Sequence, residues 1–141
     1  MKTSARNQFT GVIEALTLGP VNAEVVLTVA EGVSIAAIIT RRSAENLGLA
    51  VGGTATALIK ATFVILAKDG EIGRTSARNT LKGTIVRRID GVVSTEYGLD
   101  VGGGLTLTAI VTKGSADDLV LDVGDKAVAL VKAPHIIIAV D

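Results

Sequence analysis

Two stretches of this chain read identically: Thr3-Ser4-Ala5-Arg6-Asn7 and Thr75-Ser76-Ala77-Arg78-Asn79. At the same offset, Thr40, Ser43-Ala44 and Lys60 recur as Thr112, Ser115-Ala116 and Lys132. Arginine and lysine can only donate hydrogen bonds, and the hydroxyls of Ser4, Thr40 and Ser43 can donate as well. If Ser43 and Ser115 cap short helices, the backbone N–H groups of Ala44 and Ala116 add donors at the helix starts. Each copy would then offer two full positive charges, three hydroxyls and a backbone amide. A donor-only set of this kind suits a small, doubly charged tetrahedral oxyanion. Taken singly, each residue has a structural reading: a solvated surface cation, a helix cap, a β-forming threonine. Taken together they favour a site, because neighbours such as Gln8/Thr80 and Arg42/Gly114 differ between the copies, and core positions keep only their class, as in Ile39/Val111 and Val64/Ile136.

The elements that must position these groups follow from the repeat. Gly11 falls on Gly83, Gly19 on Gly91, Glu24 on Glu96, Leu47 on Leu119 and Gly52 on Gly124 without a gap. Close to half of the aligned positions are identical, so the chain is a duplicated unit. The expected boundaries are a first domain over 1–68, a polar glycine-containing linker over 69–74 and a second domain over 75–141. Units of about 70 residues bury little surface and are marginal alone, so each needs its partner or an oligomer.

Short runs rich in Val, Ile, Thr and Ala, separated by glycines, are a strand signature. The first strand is predicted from Phe9 to about Leu16, ending at Gly19-Pro20. The second alternates, with Val25, Leu27 and Val29 on one face, and Glu31-Gly32 turns it into a third over Val33 to Thr40. Ser43 to Leu49 reads as one or two turns of helix, and Asp118 falls at a capping-box position in the second copy. Strands four and five are predicted over Ala55 to Lys60 and Ala61 to Ala67. The expectation is an all-β fold: tandem OB-like five-stranded β-barrels, each with one short helix.

Composition narrows the chemistry. The chain has no cysteine and a single histidine, His135, which removes disulfides, thiolate metal sites and a multi-histidine centre. Fourteen basic residues balance fourteen acidic ones, and the aromatics are Phe9, Phe63 and Tyr97 alone. Nucleic-acid binding needs a basic groove and stacking platforms, and neither is expected here. No apolar run is long enough to span a bilayer, and Met1-Lys2-Thr3-Ser4 lacks a signal-peptide core, so a soluble, cytoplasmic protein without a membrane partner is expected. Glu24 and Glu96 are matched but have no nucleophile partner; Glu24 is expected to face solvent or pair across a strand, and no enzyme activity or catalytic cofactor is expected. His135 aligns with Phe63 and reads as a packing or surface residue.

Thr-Ser-Ala-Arg-Asn-x-x-x-Gly-x-Ile, Gly-Pro-Val-Asn-Ala-Glu-Val, Ile-Thr-x-x-Ser-Ala-x-x-Leu-Gly-Leu and Ala-Leu-Ile-Lys-Ala follow one another in the first copy. This series closely resembles the molybdate-binding Mop domain family, and two such domains in one chain resemble the di-Mop molbindins. The resemblance implies a molybdate or tungstate binder serving storage, buffering and homeostasis, assembled as a homotrimer with anions held between domains. It implies oxyanion contacts from Ser4, Ala5, Arg6, Thr40, Ser43, Ala44 and Lys60, and from Ser76, Ala77, Arg78, Thr112, Ser115, Ala116 and Lys132. It also implies a second type of site near the symmetry axis around Val21, Asn22 and Ala23. Val93 and Ser94 stand there in copy two, followed by Thr95, while Tyr97-Gly98 replaces Val25-Val26. An alternative is a regulatory oxyanion-sensing module that acts through a partner, since the chain has no phosphate-binding loop and no room for a helix-turn-helix.

Overall fold

A computed structural model describes residues 1–141. Ten strands form two five-stranded sheets. The first half contributes β1 (Asn7–Leu18), β2 (Asn22–Ala30), β3 (Val33–Thr40), helix α1 (Arg41–Asn46), β4 (Thr54–Ile59) and β5 (Ile65–Lys68). The second half repeats the order with β6 (Asn79–Asp90), β7 (Ser94–Gly102), β8 (Leu105–Thr112), helix α2 (Lys113–Leu119), β9 (Lys126–Val131) and β10 (Ile137–Ala139).

The sheets are not drawn from contiguous halves. Their strand orders are β10-β4-β1-β2-β3 and β5-β9-β6-β7-β8, so each half hands its last strand to the other. Ile137 and Ile138 pair with Leu58 and Ala57, while Ile65 and Leu66 pair with Leu130 and Ala129. The region expected as a single fifth strand over Ala61 to Ala67 instead opens with a 3-10 turn at Ala61–Phe63, and strand geometry resumes at Ile65. That turn redirects the chain into the neighbouring sheet; Ala133–His135 does the same in copy two. The exchanged strands knit one continuous core, in which Val64, Leu66, Ile136 and Ile138 join Ile13, Val25 and Leu27 to Ile85, Leu99 and Leu107.

Two asparagines fasten the exchange. β3 and β8 are edge strands, whose outward N–H and C=O groups would be left unpaired on burial. Asn7, 1 % exposed, gives its side-chain amide to Thr108 on β8, with Oδ1 accepting the Thr108 N–H at 2.7 Å and Nδ2 donating to the Thr108 carbonyl at 2.8 Å. Asn79 does the same to Ala36 on β3, at 2.8 Å each way. Each Nδ2 also reaches the carbonyl at the end of its own sheet's neighbouring strand, Ile59 or Val131, at 3.2 Å.

Both long strands bend at a bulge, between Ile13 and Ala15 in β1 and between Ile85 and Arg87 in β6. Near it, Gly11 and Gly83 run so close to the next strand that an added Cβ would collide with the Thr28 and Asp100 carbonyls respectively. This explains why both copies keep glycine there.

Candidate functional site

The segment before β1 is shaped by its own side chains: the Thr3 hydroxyl accepts the Ala5 N–H at 3.0 Å, and Gln8 Nε2 donates to the Ala5 carbonyl at 3.2 Å. This turn sets Ser4 and Arg6 beside the end of β4, where Lys60 leads into the 3-10 turn. Ser4, Ala5, Arg6 and Lys60 line one open cavity of about 530 Å³. Its apolar side comes from both halves, with Phe63 packed on His135 at a ring-centroid distance of 4.7 Å. Lys60 Nζ stands 5.2 Å from the Phe63 ring centre, a favourable place for an ammonium. His135 thus packs across the join between the halves, in line with the sequence reading. In copy two the Thr75 hydroxyl accepts the Ala77 N–H at 3.2 Å, the same turn ahead of Arg78.

Each arginine of the set meets a carboxylate from the other half. Arg6 NH1 donates to Glu96 Oε1 at 2.7 Å, and Arg78 NH2 donates to Glu24 Oε1 at 3.3 Å. Glu24, expected to face solvent or pair across a strand, meets Arg78 instead, as Glu96 meets Arg6, because the strand exchange brings the halves together. The hydrogen bond from Arg6 is the main reason that the Glu96 carboxyl sits below the usual glutamate range, and Arg87 adds to it. Arg6 uses one of five N–H donors in this pair, leaving others for a ligand.

Thr40 and Ser43 lie elsewhere on the chain. They line a second concavity of about 530 Å³ together with Asn22, Asn46 and Ile137. The helix also starts earlier than expected. Thr40, not Ser43, is the cap, its Oγ1 accepting the Ser43 N–H at 3.0 Å and donating to Ser43 Oγ at 2.8 Å. Thr112 and Ser115 repeat this at 3.1 and 2.7 Å, so Asp118 is not at a capping-box position either. Ala44 and Ala116 are buried at the fourth helical position, where a regular α-helix pairs the N–H with the cap carbonyl. One chain therefore brings Ser4, Ala5, Arg6 and Lys60 together and sets Thr40, Ser43 and Ala44 apart from them.

The Val21-Asn22-Ala23 segment forms a tight return. Val21 is 74 % exposed and its carbonyl accepts the Arg41 N–H at 2.8 Å, the Asn22 carbonyl accepts the Gly19 N–H at 2.8 Å, and Ala23 is buried. Val93 and Ser94 repeat those backbone bonds with Lys113 and Gly91, at 2.9 and 2.8 Å. What lies beneath differs. In copy two Asp90 Oδ1 accepts from the Thr95 hydroxyl at 3.0 Å and from Arg88 Nε at 3.1 Å, where copy one has Ala23, Leu18 and Leu16. The Thr95 bond, then Arg88, holds the Asp90 carboxyl below its ordinary value, so the strand end beside that segment carries a half-exposed Arg88–Asp90 ion pair. Tyr97, which replaces Val25, is buried, donates to the Leu121 carbonyl at 2.7 Å and lies under Arg88.

Sequence reasoning missed Asn7 and Asn79 as fasteners, Glu24 and Glu96 as partners of the site arginines, and Arg87. The signal for the first four was identity between copies; Arg87 carried none, since Ala15 stands in its place.

The TOBE domain model matches twice, at residues 3–66 and 75–138. The chain belongs to the TOBE domain family. Among curated TOBE relatives, the molybdenum-pterin-binding protein MopA of Rhodobacter capsulatus is 50% identical over 139 residues, covering 99% of this chain and 52% of its own length. The molybdenum transport protein ModE of Herbaspirillum seropedicae is 44% identical over 140 residues, covering 99% and 52%. The chain thus spans about half the length of these relatives. A crystal structure of the cytoplasmic molybdate-binding protein ModG with molybdate bound superposes with a TM-score of 0.95 at 42% identity, covering 100% of both chains. That likeness bears out the all-β tandem fold. No helix of the chain is long and apolar enough to cross a membrane.

Proposed function

We propose that this TOBE protein binds molybdate, and tungstate by the same chemistry, reversibly and without catalysis, as a cytoplasmic store or buffer. The observation that carries the reading is the convergence of Ser4, Arg6 and Lys60 on one cavity in a chain that superposes throughout on molybdate-loaded ModG. A hydroxyl, a guanidinium and an ammonium around an open cavity give a doubly charged tetrahedral anion charge-assisted hydrogen bonds from several sides. Binding needs no catalytic cofactor.

The separation of the donors supports assembly. Ser4, Ala5, Arg6 and Lys60 form one half-site, and Thr40 and Ser43 form another in a separate concavity, without the Ala44 N–H, which a regular helix pairs with the cap carbonyl. A neighbouring chain in a homotrimer would bring the second half-site against the first. Ser76, Ala77, Arg78 and Lys132 would meet Thr112 and Ser115 in the same way. Val21, Asn22 and Ala23 would form the second type of site. Val93 and Ser94 would do so less well, because Ser94 and Thr95 replace Asn22 and Ala23, and the Thr95 hydroxyl is already committed to Asp90.

A second reading rests on relative length. The chain matches about half of ModE, so the same pair of domains occurs inside longer proteins. The oxyanion site would then regulate a partner rather than store cargo. A nucleic-acid role has no such support, given zero net charge and three aromatic residues.

Equilibrium dialysis against molybdate, with sulfate as competitor and light scattering for mass, tests the proposal. Saturable uptake of more than one anion per chain by a trimer, resistant to excess sulfate, is the expected result. No uptake would overturn it, and uptake by a monomer would overturn the shared-site arrangement.

A further inference from the structure

The two copies of the site are not equivalent, and one residue accounts for the difference. Arg87 follows the bulge in β6, where β1 has Ala15. Its Nε donates to Glu96 Oε2 at 3.2 Å, and its NH2 donates to the Thr108 hydroxyl at 3.2 Å. Glu96 is therefore held on both oxygens, by Arg6 on Oε1 and Arg87 on Oε2. Two further substitutions serve the same guanidinium. Gly98, the cross-strand partner of Arg87, stands where copy one has Val26, and a Cβ there would lie 3.0 Å from the guanidinium carbon. Thr108 supplies the hydroxyl where copy one has Ala36. Copy one has none of the three, so Glu24 has Arg78 alone as its partner, at 3.3 Å, and its side chain is 36% exposed against 19% for Glu96.

Resting on the oxyanion reading above, we infer that Arg87 is a positioning residue that makes the Ser4–Arg6–Lys60 site the tighter of the two anion sites. Two physical effects point the same way. The anchored Glu96 fixes the Arg6 guanidinium before an anion arrives, so less side-chain freedom is lost on binding. The local charge also differs. Arg6, Lys60 and Arg87 outnumber Glu96 by two positive charges, whereas Arg78 and Lys132 outnumber Glu24 by one. One extra unit charge acting on a doubly charged anion across several ångströms in a water-like dielectric corresponds to roughly a 3–10-fold gain in affinity. The protein would then fill its sites in order, which widens the concentration range over which it buffers.

The test is occupancy, read separately at each site. Crystals of the full chain are soaked in sub-saturating sodium tungstate, and the anomalous signal of tungsten is compared at the two positions. In the wild type the signal beside Arg6 and Lys60 should exceed that beside Arg78 and Lys132 by roughly 3–10-fold. Arg87→Ala should make the two equal, and Arg87→Lys, which restores the charge, should recover part of the difference. If Arg87→Ala does not fold, Arg87→Gln removes the charge with a side chain of similar girth and takes its place. Equal signals in the wild type, or an unchanged order in the charge-removing variant, overturn the inference while leaving the oxyanion reading intact. Tungsten at neither position overturns both.

Discussion

The side-chain amide of Asn7, in the first half of the chain, pairs with both backbone groups of Thr108 in the second half, at 2.7 and 2.8 Å. It acts as one residue of an extra strand laid along the edge of β8, and Asn79 does the same for β3 at Ala36. The arginine that follows the shared turn therefore arrives beside the other half's glutamate, so the fastening of the fold and the placing of the site are one event.

Replacing Asn7 by alanine should accordingly be costly. It leaves the buried N–H and C=O of Thr108 without partners, at about 1–3 kcal/mol each, so a total loss of about 2–6 kcal/mol is expected. Urea denaturation at fixed chain concentration would measure it. A variant within 0.5 kcal/mol of wild type, roughly the scatter of neutral surface changes, would show that the edge is satisfied some other way.

The glycines near the bulge and the glycine opposite Arg87 should behave differently. A methyl group at Gly83 meets the Asp100 backbone, which cannot move aside without shifting β7. Gly83→Ala should cost about 3 kcal/mol or more. A methyl group at Gly98 meets the Arg87 guanidinium, the far end of a side chain, which can shift by loosening its bonds to Glu96 and Thr108 without moving a strand, so Gly98→Ala should cost less, about 1 kcal/mol in stability. Similar midpoints in a thermal melt of the two variants would contradict this distinction.

Acid should act on Glu96 in a defined direction. Its carboxyl lies below the ordinary glutamate value, mainly through the Arg6 hydrogen bond. A depressed folded-state value means that the pair contributes stability above about pH 4.3, and that this is lost as the pH falls through the lower value in the folded chain. Carbon-detected NMR of the Glu96 carboxyl should show its midpoint below that of a free glutamate and should show it rise in Arg6→Ala. A midpoint at or above the ordinary value would mean that the ion pair does not hold in solution.

Much of this was legible in the sequence, for reasons that also explain what was not. The third strand, Val33 to Thr40, matches its expected span, because Glu31-Gly32 and the helix fix both of its ends. Val25 and Leu27 are buried as their alternation required. Ser4, Arg6 and Lys60 line one cavity, whereas Thr40 and Ser43, expected beside them, line another, because the strand order that separates them is not written in the motifs. The strand exchange was hidden by the repeat itself: Leu58 and Leu130, and Ala57 and Ala129, are the same residues, so Ile65 could pair in either sheet on local grounds. The cap was misplaced because Thr40 and Ser43 both carry capping hydroxyls, and only the extended backbone of Thr40 (φ −71°, ψ 148°) decides between them. Glu24 and Glu96 could not be assigned partners until the exchange had put the halves in contact.

If these twin donor sets hold an oxyanion, molybdate uptake should fail in the Lys60→Ala/Lys132→Ala double variant. Removing one charged contact from a partly desolvated ion pair costs roughly 2–5 kcal/mol, so binding at both sites should weaken by one or more orders of magnitude. Circular dichroism should stay unchanged, since both lysines lie outside the core. Saturable uptake by the wild type that is lost in the folded double variant is the predicted result. Wild-type uptake by that variant would contradict the account, because the anion would then be held somewhere other than the cavity that Ser4, Arg6 and Lys60 share.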